Sequence, residues 1–455
     1  MNNHTTANYN KPYPAGFNAT DFLVDPGTYI YYNATMQSNQ DPPRNLPGEY
    51  STDVVASRAV DFMTQAAKSG SPFFLTVAPV GPHGETLQPA SSAIRHKDLY
   101  QDAKVPRGTN FNPDTIVNAS SYFKTLPIWN QTVIEYYDEF YRLRLASLRA
   151  VDDLVDTVVG KVDELDIMET TYIIYTSDNG FHIGQHRLPA GKSCAIEEDI
   201  NVPFFIRGPS VPKNLTVKYP TSHTDIAPTL FDLAGIPLRD DFDGVPMPIR
   251  DDAKQVRSQE HVNVEFWGSN IPEGKFGPSL MATTNNNTYK TLRLISDDFS
   301  FNLLYIVWCR NERELYDSNA DPGQINNVAI DFHARAYTDL NYPEEMTTRK
   351  IGGFYADDVQ YRLDALLLVL KTCKGNTCVQ PWKVLHPDGT VNSLKDAMSR
   401  DYQCFYRGQP NIEFGGCVQG YIQELEGPGS ADVIIWDASW EKTPIMQIYG
   451  CEDRT

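Results

Sequence analysis

Fifteen residues, Asp178-Asn-Gly-Phe-His-Ile-Gly-Gln-His-Arg-Leu-Pro-Ala-Gly-Lys192, put a carboxylate, an amide oxygen, two imidazoles and an ammonium on one glycine-rich loop. Asp178 and Asn179 are adjacent hard oxygen donors, the ligand type that calcium and magnesium accept. Lys192 is a compact charge able to hold a sulfate or phosphate oxyanion. His83 closes the run Ala78-Pro-Val-Gly-Pro-His83, a rigid setting that would aim the ring into a cleft. Plainer readings stand beside these. Asp-Asn-Gly is a good turn sequence, a lone lysine is commonly solvated, and a histidine can cap a strand end. His182 and His186 are four apart, a zinc spacing on a helix, but Gly180 and Gly184 argue against a helix here. A nucleophile is missing: the chain has no Gly-x-Ser-x-Gly elbow and no phosphate-cradling glycine loop, and Cys194 runs into Ala-Ile-Glu-Glu.

The elements that must position these residues alternate. An apolar stripe through Val54, Val55, Ala59, Phe62, Met63, Ala66 and Ala67 predicts a helix over 52–69, stopped by Gly70. A buried strand is expected at Phe73–Ala78, ending at His83. After an irregular insertion at 84–130, a long helix is expected over 132–165, then a strand at Thr171–Tyr175 leading into the loop. Another strand follows at Pro203–Ile206, and a short helix over Ile226–Leu233 with Asp225 as N-cap and Gly235 beyond its end. Strand and helix in alternation predict a mostly parallel α/β sheet, whose chemistry sits at the carboxyl ends of strands. From about residue 246 closely spaced strands near Thr291–Ile295 and Leu303–Cys309 predict a smaller antiparallel sheet. We therefore divide the chain at 1–245 and 246–455. Residues 1–50 show no strand or helix period, and the segment 340–455 is Cys-, Pro- and Gly-rich.

At 455 residues, two domains or one large and one small are expected. The net charge, 39 − 58 = −19, argues against nucleic acid and against an anionic membrane surface as partners. No apolar run approaches the ~18 residues of a membrane span; Leu363–Leu370 is far too short. The first residues lack the charged and apolar regions of a signal peptide. Seven Asn-x-Ser/Thr sequons, at Asn3, Asn18, Asn33, Asn118, Asn130, Asn214 and Asn286, nevertheless point to the secretory pathway. Of seven cysteines, five follow residue 370, which suggests disulfides in a C-terminal module. Cys373 and Cys378 are close enough to bridge in a turn, and the odd number leaves one thiol over.

Together these residues resemble the sulfatase family. The central block is Ser177–Lys192, then Glu197-Glu-Asp-Ile-Asn-Val-Pro203 and Arg207-Gly-Pro209; Ala78–His83, Ser222–Pro237 and Glu314–Pro322 support it. The likeness is nearest to fungal arylsulfatases and the glucosamine-6-sulfatase branch. It implies an alkaline-phosphatase-like α/β fold with a smaller C-terminal sheet, and hydrolysis of small-molecule or carbohydrate sulfate esters. In that family a cysteine in Cys-x-Pro-Ser-Arg becomes formylglycine, whose hydrate attacks sulfur to give a covalent sulfate intermediate. A divalent cation, usually calcium, polarises the sulfate. Carried over, Asp178 and Asn179 match metal ligands and Lys192 and His83 match sulfate-contacting groups. His182 matches a position near the substrate in one branch.

The departures are as informative as the matches. Cys-x-Pro-Ser-Arg is absent from the 455 residues, as are the paired aspartates that supply half of the family's metal shell. After the lysine the family often has Tyr-Glu, where this chain has Ile196-Glu197, and Cys194 is a candidate for the unpaired thiol. The expectation is a sulfatase chain lacking its N-terminal segment and inactive as written. The alternatives are a non-catalytic secreted glycoprotein that binds sulfated ligands, or a phosphatase or phosphonate hydrolase of the same superfold. An incomplete sheet should also expose apolar surface and lower solubility.

Overall fold

The computed structural model describes residues 5–250, 259–281, 287–330 and 349–437. The sequons at Asn3 and Asn286, and Cys451, lie outside these residues. Three short strands, β1 (Asp21–Leu23), β2 (Thr35–Ser38) and β3 (Arg44–Asn45), form a small antiparallel sheet in the opening segment that showed no period. Helix α1 spans Ser51–Ser69 and ends at Gly70, whose φ of 67° gives the left-handed turn that glycine adopts without Cβ strain. Helix α2 spans Gln131–Glu164, and its Asn130 cap accepts from the Val133 amide at 3.1 Å. Its buried face carries Val133, Tyr137, Phe140, Val151, Leu154 and Val162 together with the small residues Ala146, Ser147 and Ala150.

Two strand expectations need correction. The apolar run Phe73–Ala78 is extended but forms no ladder, and Phe73 and Phe74 are 41% and 69% exposed. Hydrophobicity favours a strand there, but the run joins none of the sheets among the described residues. The strand after α2, β4 (Ile173–Thr176), pairs with β5 (Phe204–Arg207) antiparallel, not parallel, in the register Ile173 opposite Arg207 and Thr176 opposite Phe204. Only the single turn α3 (Glu197–Ile200) lies between them. A parallel pair needs a crossover of a dozen or more residues over the sheet; here the intervening chain folds back as the loop itself. Every ladder among the described residues runs antiparallel.

Helix α4 spans Ile226–Leu233, with Gly235 at φ 67°. Asp225 precedes it but its side chain makes no cap bond to this helix; it completes a capping box with Ser222 on the preceding 3₁₀ turn instead. Its carboxylate accepts from the amides of Ser222 and Val245, while Ser222 caps the preceding 3₁₀ turn.

The later sheet is a meander of β6 (His261–Phe266), β7 (Tyr289–Ile295), β8 (Asn302–Trp308) and β9 (Arg313–Asp317). Strand β8 shows why both faces are apolar. Leu303, Tyr305 and Val307 pack with helix α5 (Ala356–Leu370), whereas Leu304, Ile306 and Trp308 pack with Tyr122, Phe123 and Cys194. The two-residue period of a strand thus places one sheet between the C-terminal helices and the loop-bearing part. Disulfide Cys309–Cys417 ties the end of β8 to the C-terminal segment, Cys373–Cys378 closes a turn after α5, Cys404 is also disulfide-bonded, and Cys194 is the free cysteine among the described residues. No described helix is long and apolar enough to cross a membrane.

Candidate active site

The loop after β4 is shaped by its own short bonds. Ser177 Oγ donates to the Asn179 carbonyl at 2.9 Å, the Asn179 amide donates to Asp178 Oδ1 at 3.0 Å, and Asn179 Nδ2 donates to the Gly180 carbonyl at 2.7 Å. The amide hydrogens of Asn179 are thereby directed inward, which leaves its oxygen and the exposed Asp178 carboxylate as adjacent hard donors. Their chemistry fits a calcium- or magnesium-type ion, but two side chains fall short of the six to eight oxygens calcium takes. Among the described residues no group of three or more His, Cys, Asp or Glu forms a metal cluster.

The chain then turns under and back. The Gly180 amide donates to the Asp199 carbonyl and the Phe181 amide to the Glu198 carbonyl, both at 2.8 Å. A Cβ on Gly180 would meet the Glu198 carbonyl oxygen at 1.9 Å, so only glycine allows this approach. His182 and Gly191 exchange backbone bonds in both directions, at 2.9 and 3.1 Å. That bridge sets Lys192 one residue from the pairing with His182.

Lys192 lies 4.0 Å from Glu273, and its side chain is 29% exposed. His83 is held by its neighbours: its amide donates to the Val80 carbonyl, Nδ1 lies 2.7 Å from the Gly84 carbonyl, and its own carbonyl accepts from Tyr31. Its ring stacks on Tyr29 with centroids 4.2 Å apart. Burial and then the positive charge of Lys192 push the His83 imidazole below its ordinary value, while Glu273 pulls the other way. An arriving anion would offset both depressing effects and favour the protonated ring, a donor toward sulfate or a leaving oxygen. The Tyr29 phenol is raised by burial and then by the charges of Asp25, Asp178 and Glu273.

The Lys192 charge thus reaches His83, and Asp178, with Asn179 next to it, reaches Tyr29, the ring on which His83 stacks. His182 lies next to Gly191, but its ring is closed off from solvent. Its ring is fully buried, Nδ1 is 2.8 Å from Asp199 Oδ1, and Nε2 has no hydrogen-bond partner. His186 is also fully buried, against Phe123, with both ring nitrogens unpaired and its imidazole pushed down to about 3 by burial. The two rings do not converge on a metal. Cys194 is no nucleophile: its thiol is fully buried and burial raises it well above the ordinary thiol range.

Sequence reasoning missed three participants. Glu273 follows β6 on an irregular stretch, where nothing local marks a carboxylate as functional. Arg144 looked like one of many helix arginines, yet it donates to the Pro82 carbonyl at 2.8 Å and lies 3.5 Å over the Phe181 ring. Tyr29 belongs to the opening segment that showed no pattern. Its one signal was density: Tyr29-Ile-Tyr-Tyr32 is an aromatic cluster in a polar stretch.

A family model described as sulfatase matches residues 1–236. Sulfatase ppz1 of Metarhizium majus (strain ARSEF 297) is 44% identical over 412 residues, covering 89% of this chain and 86% of that protein. An arylsulfatase of Volvox carteri is 35% identical over 448 residues, covering 91% of this chain but only 65% of its own length. A solved structure of a protein in complex with its substrate D-glucosamine-2-N,6-O-disulfate superposes with a TM-score of 0.59 at 18% identity, over 69% of this chain and 72% of that one. That likeness carries the fold, the alkaline-phosphatase-like α/β architecture. With a family model over more than half its residues and a relative this similar along most of both lengths, the chain belongs to the sulfatase family.

Proposed function

We propose that this chain presents the cation- and sulfate-holding part of a sulfatase site, and that its ligand is a sulfate monoester of a small molecule or carbohydrate. What supports the reading is that Lys192 lies 4.0 Å from Glu273 and its positive charge acts on the His83 imidazole, while His83 stacks on Tyr29, a ring that also feels the Asp178 carboxylate. In this reading Asp178 and Asn179 hold a calcium ion, which when bound supplies Lewis-acid polarisation of the sulfate. Lys192 neutralises a non-bridging sulfate oxygen. His83, once protonated, donates toward the ester oxygen as charge develops there. Lys192 and His83 act most strongly when the cleft is dry, since each charge counts for more at low dielectric.

The reading includes inactivity of the 455 residues by themselves. They contain no Cys-x-Pro-Ser-Arg, and the free cysteine Cys194 is sealed in the core. Purified chain incubated with calcium and 4-nitrophenyl sulfate should release no nitrophenol above the uncatalysed background; steady turnover would refute this.

A second reading, a non-catalytic secreted glycoprotein that binds sulfated ligands, has one observation in its favour. All five described sequon asparagines, Asn18, Asn33, Asn118, Asn130 and Asn214, are exposed. Exposure also suits an enzyme of the secretory pathway, so the two readings separate on the gene. A reading frame upstream of Met1 that encodes Cys-x-Pro-Ser-Arg favours the enzyme, and its absence favours the binding protein.

A further inference from the structure

The free nitrogen of His182 faces a second buried polar atom across a glycine. Nε2 lies 3.2 Å from the point where a Cβ on Gly191 would stand, and Asn270 Oδ1 lies 3.8 Å from the same point. Both atoms are buried, and neither has a hydrogen-bond partner among the described residues. Gly191 is not among the residues with left-handed backbone, so its conformation does not call for glycine. What glycine provides there is room.

The far ends of the two side chains fix the chemistry of these atoms. His182 Nδ1 sits 2.8 and 3.0 Å from the two Asp199 oxygens. A carboxylate only accepts, so the hydrogen of the neutral ring belongs on Nδ1, and Nε2 is left as an acceptor. Asn270 Nδ2 donates to the Tyr122 hydroxyl at 2.9 Å, which leaves its oxygen as the atom beside Gly191. Two acceptors cannot satisfy each other, and buried acceptors left unanswered are costly. A water answers both, giving one hydrogen to each, and it fits a space of about one methyl group.

The two segments that carry these atoms are already laced together. His182 and Gly191 exchange backbone bonds at 2.9 and 3.1 Å, and the Glu273 amide donates to the Ala190 carbonyl at 2.7 Å. Lys192 is the next residue along.

We propose that one buried water, held by His182 Nε2 and Asn270 Oδ1 over the Cα of Gly191, is a structural ligand of this chain, and that through it His182 is a positioning residue for Lys192. Asp199 orients the ring, the ring and Asn270 hold the water, and the water fastens the segment 270–273 to the residue ahead of Lys192. The consequence for sulfate rests on the reading of Lys192 as a sulfate-holding group. The water site itself does not.

The test uses the full 455-residue chain with isotopically labelled histidine. Nitrogen shifts of His182 should show the hydrogen on Nδ1 and an acceptor at Nε2, and magnetisation should pass between the ring and a long-lived water. Gly191→Ala puts a methyl group in the water's place, and Asn270→Leu removes one acceptor. Both should abolish the water signal, speed hydrogen exchange at the Gly191 and Glu273 amides, and weaken inorganic sulfate about five-fold. A wild-type ring with no long-lived water, or with its hydrogen on Nε2, overturns the proposal whether or not the variants fold. So does a Gly191→Ala chain whose amide exchange is unchanged. If Lys192→Ala weakens sulfate but neither variant does, the positioning role is overturned. If inorganic sulfate does not bind the wild type, or binds Lys192→Ala equally well, the sulfate reading fails, and the water signal and amide exchange alone decide this inference.

Discussion

Asp199 holds His182 in a closed pair: Nδ1 of the imidazole lies 2.8 Å from Oδ1 and 3.0 Å from Oδ2, and both side chains are buried. The same carboxylate accepts the Cys194 amide at 2.7 Å, while the Asp199 carbonyl accepts the Gly180 amide at 2.8 Å. One residue therefore fixes the chain just after Asn179, in the middle of the loop, and just after Lys192. Asp199→Ala would orphan two buried donors, each at about 1–3 kcal/mol. The expected outcome is a lowered melting temperature together with faster hydrogen exchange at Gly180, His182 and Gly191. A variant with wild-type melting and exchange would show that Asp199 is not the anchor.

Gly180 offers a second test of the same scaffold. With the Glu198 carbonyl oxygen 1.9 Å from the Cβ position, Gly180→Ala cannot be accommodated without moving α3 or the loop. Displacing either should weaken sulfate binding although alanine touches no ligand. Affinity within two-fold of wild type would contradict the geometry.

His261 gives a pH dependence with a definite sign. Its buried ring, with Nε2 donating to the Cys378 carbonyl at 3.0 Å, is pushed down to about 4, by burial first. The folded state thus prefers the neutral ring, so its contribution is present above the unfolded value near 6.5 and is lost as pH falls through about 4. At roughly 1.4 kcal/mol per pKa unit, that is on the order of 3 kcal/mol. His386, also pushed down to about 4 by burial, acts in the same direction. Denaturant unfolding between pH 7 and pH 4 should therefore show falling stability, and His261→Gln should flatten part of the slope. An unchanged slope in that variant would remove His261 from the account.

Phe205 is 65% exposed on β5, Phe74 is 69% exposed on the unpaired run, and Tyr175 of β4 packs at 6.1 Å from Phe205 with 37% of its surface open. Exposed apolar surface on an open ladder invites association. The chain should bind a hydrophobic dye and self-associate as concentration rises. Phe205→Lys should reduce both while changing stability by about 0.5 kcal/mol or less. A monomeric wild-type chain with no dye binding would contradict the exposure.

Local signals marked the helices well. Gly70 announced the end it makes, because a cap acts through neighbouring backbone groups and leaves a trace in adjacent residues, whereas Asn130 caps the long helix without having been read as its cap. The meander was legible in β7 and β8, where continuous apolar runs matched burial on both faces. The turn disulfide Cys373–Cys378 and the spare thiol of Cys194 were legible too, from spacing and an odd count. Pairing was not. Phe73–Ala78 has a strand's composition and no ladder, and β4 reverses into β5, because register and direction depend on distant partners. In the site, Asp178, Asn179, Lys192 and His83 stood out by residue type. Glu273 and Tyr29 did not, since only tertiary hydrogen bonds and ring stacking carry them there.

The most direct measurement is sulfate binding by the purified 455-residue chain, wild type against Lys192→Ala, followed by calorimetry or by shifts of the His83 ring resonances. The account expects the wild type to bind sulfate, the His83 ring to move toward its protonated form on binding, and Lys192→Ala to lose affinity about ten-fold or more. Binding that ignores Lys192, or a His83 ring that does not respond to sulfate, would contradict it.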